Sequence, residues 1–389
     1  MSFTVLVAPS GFKESLDVED VARAISAGVL RACPSAKLLQ APMVDGGEGF
    51  TKALVASTGG VMIDRIVTGP VGRPVKSFFG FMGGAGKRTA VIEMAAAAGL
   101  RLVPRDSRDP TRTTSYGVGE LIVAAMDAGA KRILVGCGDS GINDGGAGMA
   151  VALGARLLDS NGRDIEPCGG ALAELAVIDF SGLDPRLKSV RIDVAVNWHN
   201  MLLGEKGVAR VFGPQKGATP RQVELLERGL ETYAALILKE TGIDLRQAQG
   251  AGASGGLGAG LMAFAGARLH PRFDIVMRYL SFDRLLRSAD LVITAEGSLD
   301  GQSPFGKVPC EVARRARALG IPTIALAGTI GKGVDLTFDN GIDAFASIIK
   351  RPCTLDEAIN KGEKLLRRAA EDAMRMIMVG TRLRPPMAA

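Results

Sequence analysis

Short apolar runs, each followed by a turn and then a helical pattern, recur at both ends of this 389-residue chain and limit its fold more than any other feature. Residues 3–8 read as a strand, 9–16 as a loop, 17–32 as a helix and 37–41 as a second strand. A turn at Asp45-Gly46-Gly47 leads into a helix ending near Ser57. Toward the C-terminus, Leu291–Thr294 is a buried-strand run, 308–319 a helix, Thr323–Leu326 and Ala344–Ile349 strands, and 355–378 a long helix. Apolar runs alternating with helices build βαβ units and a parallel sheet.

Between these ends the texture changes. Ile63–Val67, Val75–Phe81 and Thr89–Ile92 are short, glycine-interrupted segments that read as antiparallel strands. Helix 117–129, strand 132–135, helix 144–155, strand Lys188–Val196, a loop over 197–218 and helix 219–240 follow, and a glycine-dense loop at Gly250–Gly260 opens a further helix. The expected architecture is α/β. A Rossmann-like parallel-sheet domain is formed discontinuously by residues 1–65 and 286–389, and an α/β domain with mixed and antiparallel strands is inserted at 66–285.

Composition narrows the class. The 51 glycines, without a collagen-like period, point to tight turns and to loops that approach a ligand. The net charge of +6 comes from basic residues dispersed among acids, with no aromatic-plus-basic repeat, which argues against nucleic acid and suits an anionic small molecule. Five cysteines without a CxxC pair form neither a disulfide framework nor a zinc site, so reduced thiols in a cytoplasmic protein are expected. No signal peptide is expected from the opening residues. No uncharged apolar stretch is long enough to cross a membrane.

Three glycine motifs compete as phosphate sites. Gly301 to Gly306-Lys307 has the spacing of a phosphate loop between a strand and a helix, but Val308 stands where such a loop needs Ser or Thr for Mg2+. Lys307 keeps a weaker role beside an anion at the helix N-terminus. Gly136-Cys137-Gly138-Asp139-Ser140-Gly141 has the spacing of a dinucleotide fingerprint, with Asp159 about 20 residues on, and carries the alternative of an NAD(P)-linked oxidoreductase. Asp139 and Asp144 count against it, since carboxylates would face a pyrophosphate; Mg2+ between acids and phosphates resolves the conflict. Gly250–Gly260 admits either close approach to a phosphate or tight helix packing.

The polar positions at strand ends are the remaining candidates. Lys13, after the first strand, stands where open α/β sheets bind ligands and could neutralise an anion. Asp45 reads as a base, a metal ligand or a helix cap. Asn143-Asp144, Glu296 and Asp300 repeat the pattern of an acid after a strand, more often than capping needs. His270 is expected to be structural, an active-site role for His199 is the lesser of its two readings, and no triad or zinc spacing accompanies either.

In order along essentially the whole chain, the following stretches resemble the glycerate kinase family of the bacterial sugar-acid type. They are Ala8-Pro9 with Phe12–Leu16, Pro42–Gly49, Val91–Ala95 with Gly99-Leu100, Thr114–Gly117 with Gly119–Leu121, and Ser140 with Asn143–Met149. Val211–Ala218, Gly250–Leu261, and Thr294 with Glu296-Gly297, Asp300, Gln302 and Gly306-Lys307 complete the set. The resemblance implies ATP-dependent phosphorylation of D-glycerate with Mg2+, usually at the 2-hydroxyl to give 2-phosphoglycerate. It implies catalytic roles for Lys13, Asp45, Asp193 and Lys216. Ser140, Asn143, Asp144, Gly252, Ser254, Gly255, Gly256, Glu296 and Lys307 would hold the nucleotide, and Asp144, Glu296 and Asp300 the metal. The expected partners are ATP and a small sugar acid, with no nucleic acid or membrane and with a homodimer left open. The chain departs from the family at Ser10-Gly11, at Asp139 with Gly141-Ile142, and at Trp198-His199. These departures leave open a longer sugar acid as substrate, or a sensor that binds without turnover.

Overall fold

The structure is a computed structural model and describes residues 3–12, 15–84 and 88–382. The chain divides into two compact units, one of Met1–Val44 with Val276–Ala389 and the other of Asp45–Ile275.

In the first unit five strands form a wholly parallel sheet, in the order Ala344–Ser347, Thr323–Ile330, Leu291–Leu299, Thr4–Val7, Lys37–Gln40. Val5 pairs with both Leu291 and Leu38, so strands from opposite ends of the sequence lie at the centre. Parallel strands need crossover helices to cover them. Helix Val18–Ala32, capped where the Asp17 carboxylate accepts from Asp20 N at 2.8 Å, turns Val21, Ile25 and Val29 onto the sheet. The last helix, Gly362–Gly380, adds Leu366, Ala370 and Met374 to the same core. These two helices touch through Gly28, where a Cβ would stand 2.2 Å from the Arg367 carbonyl oxygen. The helix expected over 355–378 is thus two, Leu355–Asn360 and Gly362–Gly380.

The second unit is built on a six-stranded mixed sheet, in the order Arg268–Pro271, Arg191–Val196, Arg132–Gly136, Thr89–Glu93, Pro74–Phe81, Val61–Thr68. The first four strands are parallel and the last two antiparallel. Thr89–Glu93 is therefore the switch: antiparallel to one neighbour, parallel to the other, and buried along its whole length. Ile92, Leu121, Ile133, Val194, Tyr233 and Leu257 belong to one core with helices Tyr116–Asp127, Pro220–Thr241 and Ala253–Ala265. A capping box of Thr219 and Gln222 starts the second of these, with Pro220 in its first turn.

The α/β class and the mixed inserted sheet are as expected. The joins fall at 44/45 and 275/276 instead of 65/66 and 285/286. Val61–Thr68 is laddered against Pro74–Phe81 over all eight residues, so a join at 65 would cut a continuous hairpin. Among the described residues no helix is long and apolar enough to cross a membrane.

Candidate active site

The parallel strands of the second unit end at Glu93, Gly136, Val196 and Pro271, and the loops beyond those ends carry its polar candidates. Asp45 begins a turn in which Gly46 takes φ +92°, and a Cβ on Gly46 would meet Cys137 N at 3.2 Å and Ala195 O at 3.3 Å. That contact seats the Asp45 turn directly on two strand ends. The Asp45 carboxylate is exposed, with Arg272 Nη1 3.5 Å from it. Next in this turn, Glu48 N donates to Asp139 Oδ2 at 2.9 Å, and a Cβ on Gly47 would collide with the same oxygen.

The loop after Gly136 is shaped by Asp144, which is fully buried. Its Oδ2 accepts from Ser115 N (2.7 Å), Ser115 Oγ (2.7 Å) and Gly148 N (3.1 Å), and its Oδ1 from Gly146 N (3.0 Å). Burial pushes this carboxyl up from its ordinary value, and those four donors oppose the rise. Three of the four donors meet Oδ2 and one meets Oδ1. Asp144 is an internal hub for the loop and the start of helix Ala147–Ala152.

Beside this hub lies Lys216, closing the short 3₁₀ turn Pro214–Lys216. Gly217 follows with φ +99°, and a Cβ there would stand 2.4 Å from Arg108 O, so only glycine lets the chain turn at this point. Lys216 is 3% exposed, and its Nζ lies 2.9 Å from Ser140 Oγ and 2.5 Å from Ile142 O. Burial pulls the amine down to about 7, with Asp144 opposing. Between Ile142 and Asp144, the Asn143 side chain is fully buried, and neither its amide nitrogen nor its oxygen has a hydrogen-bond partner among the described residues.

The third glycine loop packs on the second. Ser254, Gly255 and Gly256 all take left-handed conformations within helix Ala253–Ala265. A Cβ on Gly255 would meet Ile142 O at 2.0 Å, and Gly145 N donates to Gly255 O at 2.9 Å. Gly252 N donates to Asn200 O at 3.0 Å, tying the Trp198-His199 loop to the same place. Ser140, Asn143, Asp144, Lys216, Gly252, Ser254, Gly255 and Gly256 are thus one constellation. The dinucleotide fingerprint does not survive. Gly138 is required because Gly47 Cα lies 2.7 Å from its Cβ position, Gly141 because Leu100 Cα and Gly99 O lie 3.0 Å from its own, and no helix opens at the third glycine.

Asp193 belongs elsewhere. It sits in mid-strand, three residues short of Val196, where Arg191 donates to both carboxylate oxygens (2.9 and 3.1 Å) and His270 Nε2 lies 2.8 Å away. Its carboxylate ties the edge strand Arg268–Pro271 to its neighbour through His270. Glu93 was not singled out by the sequence. It is 4% exposed and accepts from Thr51 N (2.8 Å) and Gly49 N (3.4 Å), holding the start of helix Phe50–Ser57, and burial raises its carboxyl. Its place at the end of an apolar strand, like Asp45 after another, was the available signal.

The first unit carries a separate set. Asp300 and Lys307 form an ion pair in which Nζ lies 3.2 Å from both carboxylate oxygens and donates to Ser298 O at 3.1 Å. Gln302 N and Ser298 Oγ also donate to Asp300. Burial would raise this carboxyl, but the Gln302 amide and the Lys307 ammonium outweigh it and hold it below the usual range. Glu296 is half-buried on strand Leu291–Leu299, and Ser10 N donates to Ala295 O at 2.8 Å beside it. Lys307 precedes helix Val308–Arg317 and faces Asp300, not the open helix terminus. Lys13 lies outside the described residues. Among the described residues no group of three or more His, Cys, Asp or Glu side chains is arranged to hold a metal.

Comparison with known proteins agrees with this architecture along nearly the whole chain. The model of the glycerate kinase family matches residues 5–378. A glycerate kinase of Bacillus subtilis (strain 168) is 46% identical over 368 residues, covering 95% of this chain and 96% of the relative. A glycerate 2-kinase of Escherichia coli (strain K12) is 44% identical over 378 residues, covering 97% and 99%. A crystal structure of a chain assigned as glycerate kinase 2 from Salmonella typhimurium LT2 superposes with a TM-score of 0.88 at 44% identity, covering 98% of this chain and all of that one. On a match of this extent, the chain belongs to the glycerate kinase family and is a kinase.

Proposed function

We propose that this kinase transfers the terminal phosphoryl group of ATP, with Mg2+, to the 2-hydroxyl of D-glycerate, giving ADP and 2-phosphoglycerate. The observation that carries the reading is the buried Lys216 beside Ser140 and the unpartnered Asn143 amide, framed by glycines that bring backbone close. A buried amine and unsatisfied amide atoms are costly to a fold and fit a site built to meet an anion bearing several oxygens. Phosphoryl transfer requires chiefly positioning and charge neutralisation. Lys216, when protonated, supplies the charge, Ser140 and Asn143 the hydrogen bonds, and the Asp144 hub braces the loop that follows Asn143.

Mg2+ takes one or two carboxylates and completes its shell with phosphate oxygens and waters, so a cluster of three acids is not required. Asp45, exposed on its turn, is the second unit's fitting carboxylate, and Glu296 and Asp300 are the first unit's candidates. The metal would neutralise charge on the phosphates. Asp45 also suits a base toward the substrate hydroxyl. Arg272, close to it, suits the glycerate carboxylate. Four of the five cysteines are buried and all five are unpaired, in keeping with a cytoplasmic enzyme.

The test is ADP release on mixing the chain with ATP, Mg2+ and D-glycerate, with phosphorus NMR of the product. Release with the 2-phosphate resonance is expected. Release only with longer sugar acids would reassign the substrate, and the 3-phosphate would reassign the hydroxyl.

A further inference from the structure

Ser140 stands apart from the other hydroxyls of the second unit's site. It is half-buried, reachable from solvent, and contacts an amine that is not. Two backbone hydrogen bonds fix it on either side, Leu100 N to Asp139 O and Gly141 N to Ala98 O, each 2.9 Å, as part of a bridge between Ser140 and Gly99. Immediately before it, Asp139 is one of three non-glycine residues with positive φ among the described residues, at +50°. A strained residue before a rigidly held serine presents the hydroxyl on a sharp turn. On the other side, Lys216 Nζ donates to Ile142 O and lies 2.9 Å from Ser140 Oγ, to which it donates when protonated. A neutral amine has two N–H bonds and one lone pair. With one N–H on Ile142 O, the lone pair can accept the Ser140 hydroxyl proton along the same 2.9 Å line.

We propose that Ser140 and Lys216 form a serine–lysine nucleophilic dyad that makes Ser140 a site of covalent phosphoryl or phosphonyl modification. In the step itself, Ser140 Oγ attacks an electrophilic phosphorus, the new O–P bond replaces the bond to the leaving group, and the hydroxyl proton passes to Nζ. With a fluorophosphonate the P–F bond breaks and fluoride departs. With ATP, on the reading that the enzyme binds it here, the bond to the β-phosphate bridging oxygen breaks, ADP departs and phosphoserine remains. Burial supports the base role, because it pulls Lys216 down to about 7 and so leaves much of the amine neutral in that range. Asp144, the titratable group acting on this amine, is itself enclosed by four donors and does not compete for Ser140.

The test needs neither ATP nor glycerate, so it is independent of whether the kinase reading holds. The full chain is treated with an alkyl fluorophosphonate at pH 8, and the modified peptide is identified by mass spectrometry. A single adduct at Ser140 is expected. Lys216→Arg keeps a cation and donors but cannot take a proton, and should slow labelling about 100-fold or more. Lys216→Met should slow it equally, with thermal melting recorded for each variant. Failure of the folded parent to label at Ser140 would overturn the dyad. So would a folded Lys216→Arg variant that labels at the parent's rate.

Discussion

Lys216 and Lys307 both stand beside a glycine, yet the two units treat them in opposite ways. Lys307 is partly exposed and paired with a carboxylate, Asp300. Lys216 is enclosed, and its nearest contacts are a hydroxyl and a carbonyl that bring no charge. The sequence shows two lysines beside glycines, but one has a carboxylate partner while the other is enclosed, and its charge can change near neutral pH. The first arrangement suits steady neutralisation of an anion. The second suits a site that gains a charge when the anion arrives.

The strongest way to break this contrast is to remove Lys216. Lys216→Met should lower kcat/KM for glycerate-dependent ADP release by about 1,000-fold, the scale on which a preorganised donor in a buried site acts. A loss of only a few-fold would put the two lysines on the same footing. Next in size is the hub that makes the buried site possible. Asp144→Ala strands the Ser115 and Gly146 and Gly148 donors and should cost about 3 kcal/mol in urea denaturation. An unchanged midpoint would show that the loop does not depend on this carboxylate. Lys307→Met should cost activity about 10-fold, since its charge is partly screened and already paired.

The smallest effect sharpens the comparison by sign. The folded Lys216 amine titrates near about 7 and its unfolded counterpart near 10.5, so between those values the unfolded chain binds more protons. Lys216 therefore makes stability rise as pH increases from about 7 toward 10.5, and Lys216→Met should flatten that slope. Asp300 is held below its ordinary 3.8, so its contribution is present above that value and lost as pH falls through the folded carboxyl's range. Urea midpoints across pH for the parent, Lys216→Met and Asp300→Asn would show the two effects at opposite ends of the scale. A Lys216→Met profile parallel to the parent's between pH 7 and 10 would remove the depressed amine from the account.

Much of this was legible in the residues. Apolar runs and turn glycines set the two sheets, because period and punctuation are local properties. The strand Arg191–Val196 was placed as well, but the role of Asp193 was not. Only the partner from strand Arg268–Pro271, His270, reveals that this acid is closed off, and no local pattern carries a contact 77 positions away. The enclosure of Asp144 is hidden for a similar reason. An acid followed by two glycines looks the same whether it faces solvent or accepts from Ser115, 29 positions earlier. The depressed amine of Lys216 was also out of reach, since its cause is enclosure by the Ser140–Ile142 loop, 74 to 76 positions upstream. Conversely, the run Gly250–Gly260 suits either a phosphate cradle or packing, and within it Gly255 and Gly256 pack tightly against the 142–145 loop while Gly252 packs on Met201 O.

The split of the first unit has a consequence for how the chain is made. Its central pairing joins Ala8 to Thr294 across 286 positions, so the strand Thr4–Val7 leaves the ribosome long before its neighbour exists. The unit of Asp45–Ile275 is continuous and can be complete while that strand still waits. Synthesis therefore leaves this apolar N-terminal strand, with only Lys37–Gln40 beside it, lacking its second neighbour throughout the folding of the insert. An arrested nascent chain ending near residue 290 should resist protease over 45–275 and be cut within its first 44 residues.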